Sequence, residues 1–269
     1  MKKKYFVLNK YTFLVLILLG WISADVLVHK GNTRVLLPEN FTAKRLPLLL
    51  ERCEQPLIIS NKKWIKAVDT ISIIEKIPAN AAGIEIDVYF NTAKNHLQVY
   101  HDSTKYAELT LETLLKIYKS RNLTASIWLD FKNLSEKNEL QSLVYITNLR
   151  QQYQLNNKLI IESSLPKCLQ SFCNNGFFTS YYTPFFNPYQ IPETVLIGYI
   201  DTISSNLKRY PTSALSGYYF QYPFLKKYFP DFPILTWADN PGLSLPGNIF
   251  DRVMQNDKQL KVVLYNSYN

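Results

Sequence analysis

At 269 residues, with 47% hydrophobic and 19% charged side chains, the chain can bury a full core, and one large α/β domain fits its length. The formal charge of +9 overstates the basicity of the body, because Lys2, Lys3, Lys4 and Lys10 fall in the first 24 residues, which hold no acid, leaving +5 for the rest. The remaining Lys and Arg residues are scattered and form no nucleic-acid-binding motif, so nucleic acid is excluded as the expected partner, while an anionic ligand or membrane surface is compatible.

Residues 1–24 read as a signal peptide or N-terminal membrane anchor. A basic start leads into Phe13-Leu14-Val15-Leu16-Ile17-Leu18-Leu19-Gly20-Trp21-Ile22, and Asp25 ends the apolar run. The run is short for a spanning helix and about right for a signal's apolar region. Ile22-Ser23-Ala24 makes a passable cleavage site, weakened by the bulk of Ile22. Uncleaved, the segment would anchor the chain with its lysines in the cytoplasm. Either way the body is expected on the non-cytoplasmic side, periplasmic or extracellular. Residues 25–62 hold Pro38, Pro47 and Pro56 and no sustained period, and read as a linker and lead-in with a short helix around 46–53.

From 63 to 269 short β-branched runs alternate with helix-length polar segments, the pattern of a parallel α/β sheet. Strands are expected at 64–68, 83–90, 126–132, 158–163, 177–182, 214–220, 233–238 and 261–265, with helical patterns such as 109–118 and 139–149 between them. After the second strand, 91–95 reads as a turn into a short extra strand at 97–100. Eight strands with intervening helices favour a closed (β/α)8 TIM-type barrel over an open sheet. No internal repeat is visible, and no Gly-rich phosphate loop follows any strand.

Cys168 and Cys173 share one predicted helix-to-loop segment and could pair in an oxidising compartment, which would leave Cys53 over. No CxxC is present, which argues against structural zinc. Asn40, Asn122 and Asn133 each begin an N-x-S/T triplet, relevant where the source glycosylates exported proteins.

The chemistry concentrates at the ends of consecutive strands. Glu85 and Asp87 are two apart, so both leave the same face of strand two. Two carboxylates would repel each other in a barrel core, but are tolerable at its C-terminal mouth, where barrel active sites lie and a cation can neutralise them. The bland alternative has one of them facing outward or pairing with a lysine. Strand three repeats the spacing with Asp130 and Lys132, which a structural ion pair explains equally well, and strand four ends with Glu162. Glu85, Asp87 and either Asp130 or Glu162 would offer hard oxygen ligands suited to Mg²⁺ or Ca²⁺ rather than zinc. His101 follows the extra strand, beside the acidic mouth, where an imidazole can serve as general acid to a leaving alkoxide. Aromatic clusters at 181–186 and 218–224 read as rim loops, either ordinary packing or a wall for a lipid or sugar.

Glu85-Ile86-Asp87-Val88, His101-Asp102 and Leu129-Asp130-Phe131-Lys132, in that order, resemble the glycerophosphodiester phosphodiesterase superfamily of phospholipase-C-like barrels. Trp64-Ile65-Lys66-Ala67-Val68-Asp69-Thr70 and Leu109-Thr110-Leu111-Glu112 are similar to motifs of its menorin branch, and Ile234-Leu235-Thr236-Trp237 to the family's late tryptophan strand. The resemblance implies a metal held by Glu85, Asp87 and Glu162, His101 as general acid and Lys132 on phosphate. It also implies two catalytic histidines, yet Lys66 stands where the first is expected, and Asp69 replaces a neutral amide. An ordinary lysine is protonated at neutral pH and is a poor base, although it can bind phosphate as a point charge. His29-Lys30-Gly31 imitates the family's His-Arg-Gly signature, but it directly follows the targeting segment, whereas Lys66 precedes Glu85 by one strand-to-helix unit.

Three functions compete. The first is a hydrolase or lyase acting on a phosphodiester of an envelope lipid, glycan or glycerol compound. The second is a catalytically silent barrel binding such a ligand, or a protein partner, outside the membrane. The third is a glycosidase with paired carboxylates facing each other across the mouth, which the clustering of Glu85 and Asp87 disfavours.

Overall fold

A computed structural model describes residues 9–37, 41–101 and 108–266; Lys2, Lys3, Lys4, Asn40 and Asp102 lie outside the described residues. In chain order the elements begin with α1 (Lys10–Val28), α2 (Lys30–Leu36), β1 (Lys63–Lys66), α3 (Ile71–Ile74), β2 (Gly83–Asn91), β3 (His96–Val99), α4 (Leu111–Ser120), β4 (Ser126–Phe131) and α5 (Glu139–Gln152). They continue with β5 (Leu159–Ser163), α6 (Pro166–Asn174), β6 (Phe178–Tyr182), α7 (Glu193–Arg209), β7 (Ala214–Tyr218), α8 (Tyr222–Tyr228), β8 (Ile234–Trp237), α9 (Leu245–Asn256) and β9 (Leu260–Asn266). The chain divides into two compact units, one of Met1–Glu39 with Asn240–Asn256 and one of Asn40–Asp239 with Asp257–Asn269.

The larger unit is a closed parallel barrel. Strands β1, β2, β4, β5, β6, β7, β8 and β9 follow one another, and β9 pairs back onto β1 from Lys63↔Val263 to Lys66↔Asn266. The ninth strand, β3, is antiparallel to β2 from Val88↔Val99 to Asn91↔His96. The expected TIM-type barrel with its extra strand is therefore present.

Period two along each strand separates two apolar layers. Ile84, Ile86, Leu129 and Ile161 join a core with Leu114 and Leu115 of α4 and Leu169 and Phe172 of α6. On the alternate positions Trp64, Trp128, Ile160, Phe178, Ala214, Leu235, Val262 and Leu264 form a second buried cluster. Gly83 is required here by close approach: a Cβ on it would lie 2.0 Å from Cδ2 of the Trp64 indole. Thr110, part of the Leu-Thr-Leu-Glu motif, has a local task, capping α4 by accepting from the Thr113 amide at 3.2 Å.

Three expectations are corrected. Residues 46–53 form no helix; Pro47 has no amide to donate, the Leu48 and Cys53 amides bond to the Tyr228 and Thr212 carbonyls, and the segment runs extended along the barrel. The disulfide joins Cys53 to Cys173, with Cα atoms 6.3 Å apart, and Cys168 is free and buried. Cys168 and Cys173 both lie on α6, where five residues separate them by about 140° around the axis and about 7.5 Å along it, outside the reach of an unstrained disulfide. Burial pushes the Cys168 thiol up to about 11. Finally, Tyr222 and Phe224 are not rim residues but buried members of α8.

The smaller unit comprises α1, α2 and α9, which pack on one another. α1 is long and apolar enough to cross a membrane, with mean hydropathy 2.1. His29 belongs to this unit, where its Nδ1 pairs with Asp25 at 2.9 Å.

Candidate active site

Parallel register builds the site. Asp87 is aligned with Asp130, Asp130 with Glu162, and Glu162 with Ser180, so one row crosses four neighbouring strands. Glu85 lies one pleat below Asp87 on the same face. All seven residues singled out from the sequence, Lys66, Glu85, Asp87, His101, Asp130, Lys132 and Glu162, line one pocket of about 130 Å³. Trp128, Tyr182, Tyr218, Trp237 and Leu264 complete its wall.

The acids are held unequally. Glu85, Asp87 and Glu162 are each 2% exposed. Glu85 Oε2 accepts from the Ala67 amide at 2.6 Å, and Lys132 Nζ lies 2.7 Å from Asp87 Oδ1 while also bonding Asp130. One oxygen each of Glu85, Asp87 and Asp130 come within 4.8 Å of one another, a spacing that one cation can bridge. Here Asp130, rather than Glu162, completes the tightest trio, although Glu162 is next in the row. Ser180 Oγ is buried with no hydrogen-bond partner among the described residues, whereas the Ser216 hydroxyl and the Trp128 indole N–H face Glu162 and act to lower its carboxyl against burial. A buried polar atom without a partner is costly, and Ser180 lies beside Glu162 in the same row.

Burial, reinforced by the charges of Asp87 and Asp130, pushes Glu85 well above the usual carboxylate range. Burial and then Asp130 do the same to Glu162. Asp130 is also raised, by burial that outweighs its Lys132 contact. Lys132 shows the converse: burial opposes its charge, but Asp130 and Asp87 hold the ammonium protonated above the ordinary lysine range. Four carboxylates and two ammonium groups line the pocket. A divalent cation would offset the excess negative charge, so the donor set fits a hard cation bound by oxygen.

The β1–α3 turn is pinned to β2. Ala67 adopts φ 56°, a left-handed backbone that a residue with a Cβ rarely takes. The Ala67 amide bonds Glu85 Oε2, the Val68 amide bonds the Glu85 carbonyl, and Asp69 Oδ1 accepts from the Asp87 amide at 2.9 Å. Burial beside Asp87 raises Asp69 to about 7. Asp69 was legible only as a departure from a motif; its place three residues beyond Lys66 carried no other signal.

His101 owes its position to the β2–β3 hairpin. Tyr89 of β2 stacks on Tyr100 with ring centroids 4.1 Å apart, and the next residue, His101, has its Nε2 4.0 Å from Asp87 Oδ2. The imidazole is 70% exposed, open to a ligand from solvent. Lys66 Nζ sits 5.8 Å from the Trp237 ring centroid, a cation–π contact between β1 and β8, the strands that flank β9. Asn133, one of the three triplet asparagines, uses its side-chain amide to bond the Phe90 carbonyl at 3.0 Å and accepts from the Phe90 amide at 2.8 Å.

No protein-family model matches this sequence, and no curated protein matches it. Solved structures do. The chain superposes on a glycerophosphodiester phosphodiesterase from Parabacteroides distasonis with TM-score 0.51 and 16% identity, covering 77% of this chain and 93% of that one. It matches a protein assigned as a glycerophosphoryl diester phosphodiesterase from Silicibacter pomeroyi with TM-score 0.54 and 11% identity, over 78% and 91% of the two chains. A protein from Galdieria sulphuraria, assigned as a glycerophosphodiester phosphodiesterase, gives TM-score 0.52 and 10% identity over 78% and 95%. At these identities the likeness establishes the fold, a TIM-type barrel of the kind seen in glycerophosphodiester phosphodiesterase structures.

Proposed function

We propose that the chain is a divalent-cation-dependent phosphodiesterase-like barrel acting on a phosphodiester of a lipid, glycan or glycerol compound outside the cytoplasm, and that it belongs nearest the menorin branch of that superfamily. The observation that carries this reading is the row Asp87, Asp130 and Glu162 above Glu85, facing a pocket that also holds Lys66, Lys132 and His101. Glu85, Asp87 and Asp130, with Glu162 adjacent, would hold the cation, Mg²⁺ or Ca²⁺. When bound, that ion supplies charge neutralisation for a phosphoryl oxygen. Lys132 and Lys66 bind the remaining phosphate oxygens as point charges. His101, at the open edge, donates a proton to the leaving alkoxide. The apolar α1 and the Cys53–Cys173 disulfide support an exported or membrane-anchored chain, since disulfides persist in oxidising compartments.

Lys66 favours a second reading. Its ammonium lies against Trp237, and His101 is the sole imidazole lining the pocket among the described residues, so the barrel would bind a phosphorylated ligand or protein partner without turnover. One experiment separates the two. The full chain in detergent is assayed against a phosphodiester panel with Mg²⁺, Ca²⁺ or chelator. Cation-dependent cleavage that falls about 100-fold or more in Glu85→Ala and in His101→Ala supports the enzyme. Cleavage appearing only in Lys66→His supports the binding barrel. Cleavage that survives both alanine substitutions would sink the assignment of the site.

A further inference from the structure

The smaller unit carries an exposed apolar surface with no part in the pocket's chemistry. Within it, α9 is joined to α1 at a defined point: Asp25 Oδ2 accepts from the Leu245 amide at 2.8 Å. Leu243, just before α9, is 93% exposed. Leu245, Ile249 and Val253 are 48%, 46% and 44% exposed and follow at four-residue steps, which places them on one side of the helix. Pro246, Gly247, Phe250 and Met254 are the buried residues of α9. The exposed Arg252 shares the Leu245 side, where a long stem and charged head suit a lipid phosphate.

Asp25 fixes the depth of this surface. The 19 residues of α1 span about 28 Å, close to the thickness of a bilayer's hydrocarbon core. Its apolar side chains from 13 to 19 are all more than half exposed, and Trp21, a residue that favours the membrane interface, is 50% exposed. Asp25 stands three residues before the end of α1, about 4.5 Å along the axis. A bilayer holding α1 therefore has its surface near Asp25, and the hydrogen bond brings the start of α9 to that level. The half-buried Ile22, Asp25 and Val26 of α1, with His29 just after it, run across the Ala24–Asp25 cleavage point, so cutting there would divide one packing face.

We propose that α1 is retained as the anchor and that Leu243, Leu245, Ile249 and Val253 rest in the lipid interface of the leaflet from which α1 emerges. The occupant is the bilayer itself, continuous with the one that α1 crosses.

The full chain is reconstituted in nanodiscs of phosphatidylcholine and phosphatidylglycerol, with one nitroxide at Leu243→Cys, Ile249→Cys, Leu16→Cys or Lys119→Cys. Cys53 and Cys173 are bonded and Cys168 is buried, so the introduced thiol takes the label. Labels at 243 and 249 are expected to favour oxygen over a water-soluble nickel chelate severalfold more than the label at 119, and less than the label at 16. Should either substitution unfold the chain by circular dichroism, Leu245→Cys and Val253→Cys give the same reading. The proposal is overturned if the 243 and 249 labels match the one at 119, or if chain isolated from membranes begins at Asp25.

Discussion

The two halves of the barrel mouth solve one problem in opposite ways. Strands β2, β4 and β5 carry carboxylates into the mouth, which are expensive to bury and are held by a bridging lysine and by the amide of a strained alanine. Strands β6, β7 and β8 end in Tyr182, Tyr218 and Trp237, which hold one another edge to face at centroid distances of 4.7 Å and 5.5 Å. The aromatic half is held by contacts among its own rings, whereas the acidic half gathers carboxylates that could hold a cation. A ligand spanning the pocket would therefore meet a cluster of carboxylates and lysine on one side and a ring-lined wall on the other.

The largest way to break this contrast is to disturb the floor beneath it. Gly83→Ala forces a Cβ into the Trp64 indole, two residues below Lys66, and is expected to cost about 3 kcal/mol or more. Urea unfolding at constant m-value measures it. Next comes the cation. At 100 times its Kd, Mg²⁺ or Ca²⁺ should stabilise the protein by about 2.7 kcal/mol, a rise in Tm of several degrees for a chain of this size. Glu85→Gln should abolish the rise and Tyr218→Phe should leave it intact; equal shifts in both would erase the distinction between the halves.

A third test uses pH. The Asp69 carboxyl is raised from 3.8 to about 7, so the folded protein keeps a proton that the unfolded chain releases. Its contribution to stability is full below about 4 and is lost as pH rises through about 7. Without divalent cation, wild type should thus lose stability relative to Asp69→Asn between those limits, as thermal melts across pH would show. Asp257, in the same unit, has the opposite sign. Burial raises its carboxyl, but bonds from Lys226 and Tyr222 outweigh that and hold it below its usual value, so its contribution is present at neutral pH and fades as pH falls through the acid range. The smallest effect is expected from Tyr218→Ala, which should weaken a ring-bearing phosphodiester by about 1 kcal/mol in calorimetry and leave inorganic phosphate unchanged.

Much of this was legible from period and spacing. Glu85 and Asp87 declared a shared face because side chains alternate along a strand, and Asp130 and Glu162 fell into line because parallel register preserves position. The hairpin that brings His101 to the mouth was visible as a turn and a short strand. Contacts distant in sequence were not. The Cys53 partner depends on where the lead-in meets α6, and the buried hydroxyls of Ser180 and Ser216 look like ordinary strand residues until the barrel closes. Ala67 gave no warning of its left-handed backbone, because its determinants lie on β2.

The disulfide divides the molecule along this same line. The loop it closes, 120 residues long, contains β1, β2, β4 and β5 and every acid of the pocket, while β6 to β9 and the aromatic wall lie beyond it. A chain threaded across a membrane from its N-terminus exposes Cys173 to the oxidising side before β6 has crossed. Were the chain exported as proposed, covalent closure could fence the charged half of the mouth while the half that seals it was still in transit.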